Sequence, residues 1–301
     1  MKFIKRADQL ILTIDHTWDG KHLSDFFEAY HFSKKNKHLL HQYKNYTLNH
    51  EYVYDAPLKT GDILSLKAYE RDDGMYRPVF EELDIVYEDD LLLIVNKPPF
   101  LPVYPAHQED THSLANYVSG YYASCGLDLP VRFIHRLDDD TSGLVIFCKS
   151  YLFQSYLDEM LKRKAIHRHY LAFTKGTFPD QKIHTIDADI ARDRHNAKKM
   201  RVAPHGSHAI THYQCLENHS NYALVKCILE TGRRHQIRVH MASIQHPLLG
   251  DPLYGKPFGS LHRQALHAYA IALIHPLTGE QLLVKSNLPP DLQSLTSLRH
   301  F

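Results

Sequence analysis

Cysteine is scarce in this chain and never closely paired. Cys125, Cys148, Cys215 and Cys227 are scattered through 301 residues with no CxxC spacing, which argues against a zinc ribbon or a disulfide framework. Cys148 and Cys227 lie in apolar runs and read as small core residues, and a reducing cytoplasm is the expected compartment. Long apolar runs are missing too, since nothing approaches the ~20 residues of a membrane helix. The start, MKFIKRADQLILTIDH, is basic but has no small-residue cleavage site, so no secretory signal is expected. Excess charge of either sign is lacking: 35 basic and 34 acidic side chains leave a formal net charge of +1, unlike an indiscriminate polyanion binder. The 24 histidines are dispersed and HExxH does not occur, so a catalytic metal is not expected. What remains is a 44 % hydrophobic chain, long enough for one large or two smaller globular domains.

The segment richest in chemistry is FIHRLDDDTSG, residues 133–143. Apolar runs flank it, Val131–Leu137 before and Leu144–Cys148 after, a pattern of strand, polar turn and strand. Side chains alternate faces along a strand, so Arg136 and Asp138 should point the same way. The same residues suit an ordinary hairpin turn, and the Asp run lacks the ligand spacing of an EF-hand. Basic residues cluster in the second half, at Lys162–Arg168, Arg192–Arg201 and Arg233–Arg238; each is either a solvated face or part of a local RNA-binding surface. In LETGRRHQIRVH, residues 229–240, Tyr222–Leu229 alternates like a strand and residues 233–243 have helical spacing, which would set Arg234 and Arg238 on one face. A guanidinium pairing with a lone Asp keeps it ionised and fixes its orientation. Tyr170, in an apolar strand-like run, would by itself be a core or interface residue.

Residues 1–70 read as a separate small unit. Residues 21–30 and 36–43 have helical spacing, and Tyr46–Leu48, Tyr52–Tyr54 and Ile63–Leu66 read as short strands, with a turn at Lys59–Asp62. Residues 71–80 read as a linker, centred on the Gly- and Pro-bearing RDDGMYRP. Residues 81–301 form the second unit. It opens with a hairpin, Leu83–Lys97, ended by Pro98 and Pro99. Helices are expected at 111–122, with Thr111 as cap, and at 150–161. A buried strand begins near Arg263 and a turn falls at Pro276–Gly279.

These motifs carry a resemblance. HRLDDDTSG, residues 135–143, is similar to the signature of the RluA/RluD-type RNA pseudouridine synthases. So are YEDDLLLIVNKP (87–98), KAIHRHYLAFTKG (164–176), LETGRRHQIRVHMASIQHPLLGDPLYG (229–255) and RQALHA with HPLTG (263–279). The ending TGDILSL of the first unit resembles an S4-like RNA-binding domain. The resemblance implies an α+β pseudouridine synthase fold, with a long mixed, mainly antiparallel sheet and a central cleft, plus the small N-terminal S4-like α/β domain. It implies an isomerase that turns uridine into pseudouridine in structured RNA, ribosomal or transfer, without cofactor or metal and usually as a monomer. It makes Asp138 the nucleophile and Arg238 its partner. Tyr170 stacks on uracil and takes part in proton transfer. Arg136 contacts RNA and fills the gap left by the extruded base. Arg234 and His135 join it on the RNA side, and Leu266 lines the base pocket. The chain departs from the family at Phe100 (usually Gly), Tyr104 (usually His), Arg168 (usually Lys) and residues 43–50, where a Gly-rich stretch is usual.

Breaking an N-glycosidic bond and making a C–C bond at the same base needs a nucleophile, charge stabilisation and exclusion of water, and the base must first leave its stack. Attack at uracil C6 and attack at C1′ both need the same carboxylate. Two other classes compete: a non-catalytic RNA-binding or assembly factor, and a metal- or carboxylate-dependent hydrolase, for which Asp139 and Asp140 would be the second acid or the ligands.

Overall fold

The computed structural model describes residues 1–107 and 109–298. The N-terminal unit comprises β1 (Lys2–Arg6), β2 (Gln9–Thr13), α1 (Leu23–Ala29), α2 (Lys34–Gln42), β3 (Tyr46–Leu48) and β4 (Ile63–Lys67). Its antiparallel sheet runs β1-β2-β4-β3. Helix α1 buries Leu23, Phe26 and Phe27, and Tyr30 just beyond it is buried as well. Helix α2 starts at Lys34 rather than Asn36, because the Ser33 hydroxyl accepts from the Asn36 N–H and so caps an earlier first turn. Tyr52–Tyr54 is not a strand. It is a loop, in which the Tyr54 carbonyl accepts from the Tyr46 hydroxyl. β1 and β2 escape the sequence reading: β1 is a lysine-bearing edge strand with no buried residue, and β2 buries only Leu10 and Leu12.

This unit is seated firmly on the rest of the protein. Tyr30 and Phe32 pack their rings on Phe153, with centroids 5.1 and 5.4 Å apart. Tyr30 donates to the Pro276 carbonyl (3.0 Å), and the Lys5 N–H donates to Asp90 (2.8 Å). The segment expected as a linker has no helix or strand, yet it is pinned. Asn116 and Ser119 donate to the carbonyls of Arg77 and Tyr76, and the Val79 N–H donates to the Asn116 carbonyl. Gly120 permits this approach, since a Cβ there would fall 2.1 Å from the Val79 oxygen.

The larger part continues with β5 (Ile85–Glu88), β6 (Leu92–Lys97), α3 (Leu114–Ser124), β7 (Ser142–Cys148), α4 (Tyr151–Lys162), β8 (Ile166–Lys175), β9 (Ile183–Asp187), β10 (Ile190–Arg192) and β11 (Met200–Val202). It ends with β12 (Ile210–Asn218), β13 (Tyr222–Leu229), α5 (Gln236–Ser243), β14 (Leu266–Ile274), β15 (Gln281–Lys285) and α6 (Pro290–Gln293). Among the described residues, nine strands join in one sheet, β5-β6-β7-β14-β8-β13-β12-β9, with β15 also on β14. The fold is α+β, and the sheet is mixed but mainly antiparallel. The parallel contact, between β14 and β7, covers only His267↔Ser142 and Ala268↔Gly143. Beyond it, the same edge of β7 is met by residues 132–134, through Ile134 N–H to Ile146 and Cys148 N–H to Arg132. β10 and β11 form a separate two-stranded hairpin. Helix α3 starts at Leu114 and is capped by Ser113, not Thr111.

Candidate active site

The approach to Asp138 is not the continuous strand its apolar pattern suggests. Only Phe133 forms a bridge, to Phe147, and residues 135–138 are irregular. Burial still alternates: Arg136 is exposed, Leu137 buried and Asp138 half-buried. The Thr141 N–H closes a turn onto the Asp138 carbonyl at 3.0 Å. Gly143 then enters β7 at φ +117°, with the Ala268 backbone so near that a Cβ would fall 2.3 Å from its oxygen. Glycine is required there on both counts.

Two buried cations grip this loop by its backbone. Lys97 donates to the carbonyls of Pro98, Leu101 and Asp139 at 2.7–2.9 Å. Burial pushes its ammonium down to about 7, against the pull of Asp139, Asp140 and Asp138. Arg263 donates to the Asp140 carbonyl at 3.1 Å and pairs with Asp291 at 2.7 Å. Because neither cation binds the Asp138 carboxylate, its geometry is set from the other side of the cleft.

That side is α5. Arg238 donates from Nη1 to Asp138 Oδ2 at 2.9 Å. From Nε and Nη2 it makes a fork to Asp251 at 2.8 and 2.9 Å. Burial opposes the Arg238 charge, but the hydrogen bonds to Asp251 and the charges of Asp251 and Asp138 hold its pKa above the ordinary value. Asp251 is itself buried and accepts from the N–H groups of Leu253 and Tyr254. The Tyr254 ring lies 5.3 Å from the Arg238 guanidinium. His235 Nε2 stands 3.9 Å from Asp138 Oδ2.

Helix α5 starts at Gln236, not Arg233, because His235 takes a left-handed conformation, φ 56°. Gln236 folds back to accept from the Arg233 N–H and the Thr231 hydroxyl. Arg234 is therefore outside the helix and exposed, and the expected shared face with Arg238 does not exist. Arg238 points into the cleft and is buried.

Tyr170 lies on β8, fully enclosed. Burial raises its pKa; Arg168 counteracts this, while the Asp138 charge adds to it. Leu266 faces Ala172 across the β14–β8 pair, so it shares a sheet face with Tyr170. His135 is buried rather than turned outward. Its Nε2 accepts weakly from the Ile146 N–H at 3.4 Å, and burial with Arg168 nearby pushes its pKa down to about 3. Arg136 is exposed and donates to the Tyr104 hydroxyl, while the Tyr104 ring stacks on Phe133 at 5.5 Å and 6°. Thus Asp138 and Arg238 meet directly, Tyr170 lies within reach of the Asp138 charge with Leu266 on the same sheet face, Arg136 and Arg234 are exposed, and His135 is buried against β7.

Asp251, Tyr254, His235, Lys97 and Arg263 were not singled out from sequence. All lie inside the motifs quoted above, but nothing in their spacing announces a fork or a carbonyl grip. Among the described residues, no group of His, Cys, Asp and Glu could hold a metal ion, and no helix is long and apolar enough to cross a membrane.

Residues 91–243 match the RNA pseudouridylate synthase family, and residues 10–64 match the RluD ribosomal pseudouridine synthase N-terminal domain. The chain belongs to the RNA pseudouridylate synthase family. It is 39 % identical over 251 residues to the uncharacterized RNA pseudouridine synthase YhcT of Bacillus subtilis, covering 82 % of this chain and 83 % of that one. It is 40 % identical over 232 residues to the ribosomal large subunit pseudouridine synthase D of Neisseria meningitidis, covering 72 % of this chain and 61 % of that one. Among solved structures it is similar to human RNA pseudouridylate synthase domain containing 1, with TM-score 0.58 and 25 % identity, covering 73 % of this chain and 90 % of that one. Membership makes the protein an isomerase that converts uridine in RNA to pseudouridine, and the N-terminal unit fits an S4-like domain.

Proposed function

We propose that the protein isomerises specific uridines in ribosomal RNA with Asp138 as the nucleophile. The observation that carries this reading is the 2.9 Å pairing of the Asp138 carboxylate with Arg238, itself anchored by Asp251. The guanidinium keeps the carboxylate ionised and aims it. Tyr170, enclosed on the same side, offers a ring for the flipped base and a phenol for the proton at C5. Leu266 adds an apolar wall that keeps water from the reacting sugar or base. Arg136 at the rim is placed to contact RNA, with exposed Arg234 beside the cleft. His135, buried against β7, is not placed to reach RNA. Ribosomal RNA is favoured over transfer RNA by the substrate named for the Neisseria relative.

In this reading residues 1–70 are an S4-like RNA-binding domain, residues 71–80 a connection, and residues 81–301 the catalytic domain. A cytoplasmic site of action follows from the substrate. The exposed basic residues between Arg192 and Arg201 supply phosphate contacts that a net charge of +1 does not reveal.

The test uses RNA labelled with C5-tritiated uridine, from cells lacking the gene. Tritium release by the wild type, insensitive to EDTA and abolished in Asp138→Asn, is expected from ribosomal RNA. Release from transfer RNA alone would move the substrate. Release by both proteins would remove Asp138 from the role. No release from either RNA would favour a non-catalytic binding factor.

A further inference from the structure

The β10–β11 hairpin is strongly basic and exposed. Residues 192–201 carry Arg192, Arg194, Lys198, Lys199 and Arg201 against a single acid, Asp193. All five cations are exposed except the half-buried Lys199. The root of the hairpin is built into the wall that holds α5. Ile190, Ala209 and Val239 form a small apolar cluster of their own, with Met200 and Tyr254 packed against it. His240 of α5 ties to the Ala188 carbonyl just before β10 at 3.0 Å.

One polar path leaves this root for the nucleophile. The Met200 N–H donates to the Tyr254 hydroxyl at 2.7 Å. That hydroxyl lies 2.9 Å from His235 Nδ1, and His235 Nε2 faces Asp138 Oδ2 at 3.9 Å. The proton positions follow. The Tyr254 hydroxyl, which accepts from Met200, can either donate to Nδ1 or accept from it, and the Asp138 charge favours the first. The imidazole then carries its hydrogen on Nε2, toward the carboxylate. The other tautomer would set a lone pair against the Asp138 charge. Burial keeps the ring's pKa low despite Asp138, with Arg238 and Arg234 adding to the effect, so a neutral ring is the working form. His235 is the residue just before α5 and takes a left-handed backbone conformation, φ 56°, which turns its ring toward the cleft side of Tyr254.

We propose that Tyr254 and His235 form a positioning relay that joins the β10–β11 hairpin to Asp138, so that seating RNA phosphates on the hairpin sets the orientation of the nucleophile. Arg238 fixes the carboxylate from one side by a hydrogen bond, and the Nε2–H dipole faces it from another at 3.9 Å, longer than a hydrogen bond. The hairpin reaches the second of these through the Met200 amide. The relay makes catalysis conditional on a filled arm, which gives a way to discriminate RNA that fits the hairpin from RNA that merely enters the cleft. It rests on Asp138 being the nucleophile.

The experiment measures single-turnover tritium release from ribosomal RNA labelled with C5-tritiated uridine, with enzyme in excess, as a saturated rate and a half-saturating enzyme concentration. Tyr254→Phe and His235→Ala are expected to slow the saturated rate about tenfold, through misplacement of the reacting groups, with little change in half-saturation. His235→Gln, which keeps a donor near the Nε2 position, should recover much of the His235→Ala loss. The double substitution Lys198→Ala with Arg201→Ala should slow the saturated rate of the wild type but have no further effect in Tyr254→Phe, the non-additivity of a shared path.

Nitrogen-15 NMR of the His235 ring should show the hydrogen on Nε2, and Met200 amide exchange should quicken in Tyr254→Phe. Melting curves accompany every variant. If Tyr254→Phe folds and reacts at the wild-type rate, the relay is wrong. It is also wrong if the hairpin pair slows both backgrounds by the same factor, or if the ring hydrogen sits on Nδ1. Failure of the nucleophile assignment would look different: Asp138→Asn would remain active.

Discussion

Asp251 holds Arg238 by two hydrogen bonds, whereas Asp138 receives only one. The guanidinium that pairs with Asp138 is thus anchored first to a buried acid. Asp251→Asn should leave the chain folded but loosen the fork, lowering the saturated single-turnover rate by on the order of 10²-fold. Asp251→Ala also removes a buried counter-ion and should cost about 3–5 kcal/mol of stability. Single-turnover rates beside urea unfolding curves check both.

Tyr104 holds Arg136 by its hydroxyl while stacking on Phe133. Tyr104→Phe keeps the stack and frees the guanidinium. The half-saturating enzyme concentration should rise about 2–10-fold, the worth of one net hydrogen bond, with the saturated rate nearly unchanged. A fall instead would mean that Tyr104 restrains Arg136 from RNA.

Acid should destabilise the protein before its carboxylates are all protonated. His135 is pushed down to about 3 by burial and by Arg168, and His267 to about 4 by burial and by Arg263. An unfolded histidine takes its proton near about 6.5, so the unfolded state binds protons first as pH falls. Stability from this source is complete above about pH 6.5 and is lost progressively down to the folded values. The melting temperature should drop by on the order of 10 °C between neutrality and pH 4. His135→Gln should flatten the slope. Arg168→Met should flatten it less, because burial outweighs the charge.

Gly143→Ala should fail to give a native protein. The position needs φ +117° and has backbone where a methyl group would go. Soluble yield and a melting curve decide it, and a normal melt would show that β7 and β14 can part without loss.

Much of this was legible in the sequence because spaced motifs agree in order. HRLDDDTSG, the KxY-type strand and the HQIR helix brought Asp138, Tyr170 and Arg238 into view. The strands β3 and β13 fell where alternation put them. Local patterns misled where a polar side chain overrode them. Gln236 bends back on Arg233 and delays α5, which removes Arg234 from the helix. Ser33 and Ser113 cap earlier or later than the apolar spacing suggests. The run before Asp138 reads as a strand, yet β7 shares that edge with β14, so only a short stretch of it can pair. Asp251 and Lys97 could not be found this way, since their partners lie far off in sequence and only tertiary contact makes them part of the site.

The two-residue parallel junction of β7 with β14 divides the great sheet into two leaves. Asp138 belongs to one leaf, just ahead of β7, and Arg238 to the other, just after β13. Their ion pair spans the crease, as do Ser142 with His267 and Thr141 with Gln264. The sheet is therefore built like a book whose spine runs beneath Asp138. A change in the angle between the leaves would load all three contacts at once, so the Asp138–Arg238 distance is tied to the width of the cleft.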